Sequence, residues 1–388
     1  MRCRICTVLI ILFAHVIPVC SPVGQSAIVT LIFPFGARNT GMGEVGTSLA
    51  DDDAVLFYNP AGLAVPNSSF EGGAVSGFYE RLLPSFDIPD LWHRSFSLSY
   101  QPANKIYGGF GLYSNYINMG DNPVFDEFGH VISKKTSWER VVALGWGFNF
   151  SEIGDTSNNF GITAKYIYSC LAPGLGENGE GTAQSFAFDA GYLHLFRSGL
   201  RLGFTFMNMG PSVFYIDKSN SDPIPFTVNL ALGYKKRLFF DENSNMSFSA
   251  ETRCEREIVK NDINGKPDPF YKALYTDLAD NTFKENMKEV VVHIGYEIGI
   301  MNTGFFRNGF LIDKNGVRYE ETFGFGLKLF NHLNWDYSFI RSPERFMQDT
   351  FGDEGSSGVR DRQQRISFTY SSVFRKWSDD DFRWWRSR

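Results

Sequence analysis

The chain has 388 residues, of which 43% are hydrophobic and 16% aromatic, with a formal net charge of −6. The acidic balance argues against nucleic acid as a partner. Of five cysteines, only Cys170 and Cys254 lie beyond the N-terminal apolar stretch, too few for a disulfide framework and not at metal-ligand spacing, and beyond the N-terminus no apolar run is long enough for a membrane-spanning helix.

Residues 1–26 read as a signal peptide. Arg2 and Arg4 precede an apolar core from Ile5 to Val19, and small residues follow up to Ala27. Cleavage there removes Cys3, Cys6 and Cys20. It leaves 35 basic residues against 43 acidic ones, a balance of −8, with Cys170 and Cys254 as the remaining cysteines. The whole chain is rich in Phe (38), Tyr (17) and Trp (7), yet its mean hydropathy is only −0.19. Many aromatics on a chain of modest hydropathy suit a transmembrane β-barrel, in which one face of each strand meets lipid and the other meets water.

Residues 27–66 hold "GARNTGMGEVGTSLADDDAVLFYNPAGLA", with three adjacent carboxylates, Asp51 to Asp53. No histidine or further carboxylate stands nearby to complete a metal site. The segment is too short for a domain and too apolar to be left solvated. It reads as a hatch folded back into the barrel. Asp52 or Asp53 is expected to cap a short helix over "AVLFY", which Asn59-Pro60 ends. Gly41, Gly43 and Gly46 allow close approach to the wall. Gly41, Met42, Gly43, Asp52, Asp53, Asn59, Pro60, Ala61 and Gly62 form the expected hatch motif.

Residues 67–374 carry the strand signal. In "EVVVHIGYEIGI", Val290, Val292, Ile294, Tyr296, Ile298 and Ile300 share one face, opposite His293, Gly295, Glu297 and Gly299. The pattern predicts fourteen strands, at 69–80, 94–101, 105–116, 137–149, 159–171, 183–196, 199–208, 226–237, 246–256, 289–300, 303–313, 317–329, 332–340 and 363–373. Odd-numbered links are mostly long (81–93, 117–136, 172–182, 209–225, 257–288, 341–362), and even ones are short, such as 197–198 and 301–302. Outer-membrane barrels sort their loops this way, with short periplasmic turns and longer extracellular loops. The expected fold is all-β: a fourteen-stranded antiparallel transmembrane β-barrel with the hatch in its lumen. Residues 375–388 form a C-terminal tail, "KWSDDDFRWWRSR" following Arg375, whose Trp384 and Trp385 suit a membrane surface.

The hatch segment resembles that of the FadL-like outer-membrane proteins, especially the PorV/PorQ family of type IX secretion. The likeness extends through "FGITAKYIYSCLAPGLGENGEGTAQSFAFDAGYLH" (160–194) and "LRLGFTFMNMGPSVFYIDKSNSDPIPFTVNLALGYK" (200–235), which are similar to the PorV branch. PorV-like chains end on an aromatic residue closing the last strand, whereas fourteen residues follow Phe374 here. The resemblance implies a non-enzymatic outer-membrane component that shuttles secreted cargo. Its implied partners are cargo with a C-terminal signal domain and the type IX translocon and attachment proteins, with outer-membrane lipid around the barrel. The alternative is a FadL-like channel for hydrophobic small molecules, which requires a pocket bounded by the hatch.

The residues assemble no catalytic set, and no cofactor or metal is expected. His93, His130, His194, His293 and His332 are scattered without ligand spacing. His293 and Glu297 share a lumen-facing strand side and read as polar lining. The Gly-x-Gly pairs at 109/111, 145/147 and 324/326 read as small inward residues that make room for the hatch. The expected partner-binding residues are loop aromatics: Phe214 and Tyr215 in 209–225, and Phe270, Tyr271 and Tyr275 in 257–288.

Overall fold

The computed structural model describes residues 26–65, 73–83, 90–102, 108–153, 156–171, 181–216, 221–239, 245–260, 266–280, 282, 286–314, 316, 318–330, 332–341 and 364–371. The signal segment up to residue 25, the link 342–363 and the tail 375–388 lie outside the described residues.

Fourteen strands follow in chain order. They are β1 (Ala74–Arg81), β2 (Leu91–Tyr100), β3 (Gly109–Phe125), β4 (Val131–Ile153), β5 (Thr156–Cys170), β6 (Thr182–Leu195) and β7 (Leu200–Met209). Then come β8 (Thr227–Phe239), β9 (Asn245–Glu257), β10 (Val291–Ile300), β11 (Gly304–Asp313), β12 (Arg318–Leu329), β13 (Leu333–Arg341) and β14 (Gln364–Ser371). Each pairs antiparallel with its neighbours in sequence, and β1 closes the ring on β14. Gly77, for example, stands opposite Phe96 of β2 and Phe368 of β14. Closure leaves no unpaired edge, which is what lets strands cross a hydrocarbon layer.

Burial along the strands is inverted relative to a water-soluble protein. On β10, Ile294, Tyr296 and Ile300 are 41%, 41% and 46% exposed on the outer face, while His293 and Glu297 are buried inside. Phe110, Ile162, Phe186, Leu230, Phe306 and Phe368 continue the exposed apolar belt around the wall. Such a belt is stable only against lipid. The protein is therefore an outer-membrane β-barrel, its apolar band facing lipid and its polar face the lumen.

One expected loop is strand instead. The link 117–136 continues the ladder, with β3 paired to β4 out to Phe125 and Val131 across a register shift between Asn118 and Asp121. Asp126 closes the hairpin by accepting N–H groups from Phe128 (2.9 Å) and His130 (2.8 Å) at Oδ1. Pairing of 121–125 with 131–136 carries the strands past the membrane band, so the loop shrinks to a turn. Between β9 and β10 stands α3 (Phe270–Asp280), numbered after two short hatch helices, α1 (Ala37–Thr40) and α2 (Val55–Tyr58).

Candidate functional site: the hatch and the cavity above it

The hatch occupies the lumen and touches every strand. Ala37 N–H donates to Ser367 of β14 (3.3 Å), Thr40 and Ser338 of β13 share a hydroxyl hydrogen bond (2.8 Å), and Gly43 N–H donates to Thr322 of β12 (2.8 Å). His293 of β10 bonds the Gly43 carbonyl (2.8 Å), and Ser97 of β2 donates to the Asp53 carbonyl (2.9 Å). Thr30 donates to Glu139 of β4 through both its N–H (3.0 Å) and its hydroxyl (2.7 Å). Arg201 of β7 donates to the Leu49 carbonyl (2.5 Å).

Two stretches of wall are cut back to glycine where hatch backbone passes. A Cβ on Gly295 of β10 or Gly309 of β11 would lie 1.9 Å from the Met42 carbonyl oxygen or 2.2 Å from the Gly43 nitrogen. Gly43 itself takes φ +72°, a conformation that favours glycine. On the opposite side, Gly161 of β5 and Gly191 of β6 receive Pro60 and Asn59 at 2.2 and 2.1 Å from where a Cβ would stand. The 109/111 and 145/147 pairs of β3 and β4 face Leu56, Leu63 and Pro60 in the same manner.

The three carboxylates have three different jobs. Asp51 Oδ2 pairs with Lys235 of β8 (2.5 Å) and Arg201 (3.3 Å), and its Oδ1 with Arg38 (3.0 Å). Burial raises its affinity for a proton, but Lys235, Arg38 and Arg201 hold it well below the usual carboxylate range. Asp52 Oδ2 pairs with Arg38 (2.7 Å), while its Oδ1 accepts the Ala54 N–H (3.0 Å). Asp53 accepts a hydrogen bond from Ser76 of β1, and among the described residues no cation pairs with it; burial and the adjacent Asp52 push it up to about 6.

The expected capping role is met only in part: Asp52 Oδ1 accepts the Ala54 N–H at the entry to α2, while the N-cap position, Ala54, has no side-chain hydrogen bond and Asp53 turns to the wall. Asn59 caps the next turn: its Oδ1 accepts the Ala61 N–H (3.0 Å) and opens the 3₁₀ turn Pro60–Ala64 containing Gly62. Its Nδ2 also donates to the carbonyls of Thr47 (2.8 Å) and Tyr192 (3.1 Å). Among the described residues no group of three His, Cys, Asp or Glu is placed to hold a metal.

Most of the residues that lock the hatch were not singled out from sequence, and Glu297 was read there only as polar lining. Arg38 bridges to Glu297 of β10 through Nε (2.9 Å) and Nη2 (3.0 Å). Glu297 in turn meets Arg307 of β11 (2.7 Å), and Arg307 meets Asp336 of β13 (2.6 Å). Glu251 of β9 accepts the N–H groups of Gly46, Thr47, Ser48 and Leu49 within 2.7–3.0 Å, and the Ser48 hydroxyl besides. Glu44 pairs with Arg318 of β12 (3.4 Å) and Arg365 of β14 (3.3 Å). A signal existed: charged side chains at inward positions of otherwise lipid-facing strands need lumen partners.

Between hatch and extracellular links lies a cavity of 330 Å³. Leu31, Ile32 and Phe57 of the hatch and Met207, Val291 and Leu311 of the wall supply apolar lining; Glu44, Arg253 and Arg318 supply charge, and His293 a polar ring. Asp277 of α3 and Glu289 stand on its rim, both bound to Arg256 (2.5 and 2.7 Å).

The predicted loop aromatics divide. Tyr215 shares a hydrogen bond with Ser169 (3.0 Å), and Phe270 packs edge-on against Phe226 at 5.9 Å. Phe214, Tyr271 and Tyr275 are exposed, by 40%, 62% and 60%.

No family model matches the chain, and no curated protein matches it. Among solved structures it is similar to the CymD monoaromatic hydrocarbon channel, at 11% identity and TM-score 0.46, covering 89% of this chain and 99% of that one. The toluene transporter TodX of Pseudomonas putida gives 14%, TM-score 0.47, and 88% and 98% coverage. A FadL homologue of Pseudomonas aeruginosa gives 12%, TM-score 0.39, and 91% and 99%. At these values the likeness does not bear on what this chain does, and the barrel stands on its own strand pairing.

Proposed function

We propose that the protein is a FadL-like outer-membrane channel for hydrophobic small molecules, in preference to the PorV-type secretion role. One observation carries this reading: the cavity of 330 Å³ bounded by hatch, wall and extracellular links. Its size falls at the lower end of the roughly 300–1,000 Å³ typical of small-molecule sites. The apolar surfaces of Leu31, Phe57, Val291 and Leu311 take the hydrophobic body of a solute, and Arg253, His293 and Arg318 face a polar end. Onward passage requires the hatch to shift, because its contacts run to every strand. The experiment is uptake of radiolabelled toluene and oleate into liposomes carrying the protein. Val291→Trp, which fills the cavity, should reduce uptake while leaving heat-modifiable gel mobility unchanged. Equal uptake by protein-free liposomes and by both proteins would reject the channel.

A second reading, cargo binding in type IX secretion, is supported by the exposure of Phe214, Tyr271 and Tyr275 on extracellular links. It makes the opposite demand. Pull-down of the detergent-solubilised protein should bring secreted chains that share a C-terminal β-domain, and Tyr271→Ser with Tyr275→Ser should release them. Recovery of bound small molecule without such chains favours the channel.

A further inference from the structure

The outer wall carries a second concave feature, separate from the hatch. Near the extracellular end of β14, β1, β2 and β3 a groove of 510 Å³ faces the lipid, flanked by Tyr79, Phe96, Tyr116 and Phe368. It exists because two outward positions, Gly77 and Ser114, carry almost no side chain where the surrounding row is aromatic. A Cβ at Gly77 would meet nothing within 4 Å, so the hatch and the sheet do not need glycine there.

One arginine lines this groove and a second reaches its edge. Arg94 faces outward on β2, one outward position above Phe96, with its guanidinium 4.2 Å from the Trp92 ring and 5.6 Å from the Tyr79 ring. Arg140 of β4 donates to the Ser114 hydroxyl at 3.4 Å. In the ladder Arg94 stands beside Tyr116 and Tyr116 beside Arg140, so the two cations flank one ring. Around them Trp92, Tyr116, Trp138 and Tyr168 stack at 5.3, 5.5 and 5.0 Å, an aromatic girdle of the kind found at the membrane–water boundary. Among the described residues no carboxylate pairs with Arg94 or Arg140.

Unneutralised arginines on a lipid-facing wall are costly unless they reach headgroup oxygens. Phosphate is the anion that suits them, because guanidinium–phosphate hydrogen bonds are charge-assisted and often bidentate. The apolar groove below them matches the other half of the same molecule. We propose that this face binds one phosphate-bearing lipid of the outer leaflet, its phosphate held by Arg94 and Arg140 and one acyl chain lying over Gly77 and Ser114.

Native mass spectrometry of the detergent-purified protein tests this with three probes: phosphatidylglycerol, phosphate-free diacylglycerol and inorganic phosphate. One phosphatidylglycerol should be retained per barrel, with diacylglycerol and free phosphate held at least about tenfold more weakly, as expected for loss of one charge-assisted bond or of the chain contact. Arg94→Gln with Arg140→Gln should remove the preference between the two lipids. Gly77→Leu should weaken retention of phosphatidylglycerol by about the same factor, through filling of the groove. Heat-modifiable mobility identifies the variants that remain folded. Equal retention of both lipids by the native protein, unchanged retention in folded Gly77→Leu, or a dimer whose formation Gly77→Leu abolishes would each overturn the proposal.

Discussion

Arg38 of the hatch and Glu297 of β10 share two hydrogen bonds, at 2.9 and 3.0 Å, inside the barrel. The same guanidinium holds Asp51 and Asp52, so one side chain ties the acidic segment of the hatch to the wall. Removing it leaves Asp52 without its cation, whereas Glu297 retains Arg307 and Asp51 retains Lys235. An uncompensated buried charge of this kind costs on the order of 3–5 kcal/mol. Arg38→Met should lower the temperature of the heat-modifiable gel shift and raise single-channel conductance in planar bilayers. Unchanged values of both would show that the pair does not anchor the hatch.

Glu251 should be the residue that protects the amides of 46–49. Both carboxylate oxygens are occupied, Oε1 by Gly46 and Thr47 and Oε2 by Ser48 and Leu49. In Glu251→Gln one oxygen becomes an amide nitrogen that cannot accept. Hydrogen exchange at two of the four amides should then accelerate by about tenfold or more, corresponding to one or two lost hydrogen bonds to a charged group. Exchange in 46–49 that matches the native protein would refute the assignment.

Asp53 gives a pH signature. Its folded-state value of about 6 lies above the ordinary 3.8, so the folded protein binds this proton more tightly than the unfolded chain. Its contribution to stability is therefore greatest at low pH and declines as pH rises from about 4 through 6. Asp53→Asn removes the charge. The variant should match the native protein at pH 5 more closely than at pH 7.5, where it should be more stable by on the order of 1–3 kcal/mol. Parallel melting curves at the two pH values would contradict the shift.

Glycine at 161 should be irreplaceable while glycine at 77 is not. A side chain at Gly161 meets the backbone of Pro60, 2.2 Å from its Cβ, and one at Gly77 meets no atom within 4 Å. Gly161→Val should expel Asn59-Pro60 from the wall, seen as new protease cleavage within 55–65 of the solubilised protein. Gly77→Leu should leave that pattern unaltered. Cleavage in both variants, or in neither, would break the link between wall glycine and hatch seating.

The fourteen strands were legible in order because alternation is a local property: successive side chains point to opposite faces, and lipid on one side demands apolar residues there. The inward Gly-x-Gly pairs were legible for the same reason. The span 117–136 was misread because a loop and a strand that extends into water carry similarly polar residues, and only pairing across the hairpin distinguishes them. Asp51–Asp53 could be placed in a hatch from composition, but their partners could not be found. Lys235, Arg201 and Ser76 lie 184, 150 and 23 positions from the acids they meet. The cavity and the outer groove arise likewise from residues on several strands brought together by closure of the barrel. Local periodicity fixes which face a side chain takes; the register of the closed sheet and the path of the hatch decide whom it meets.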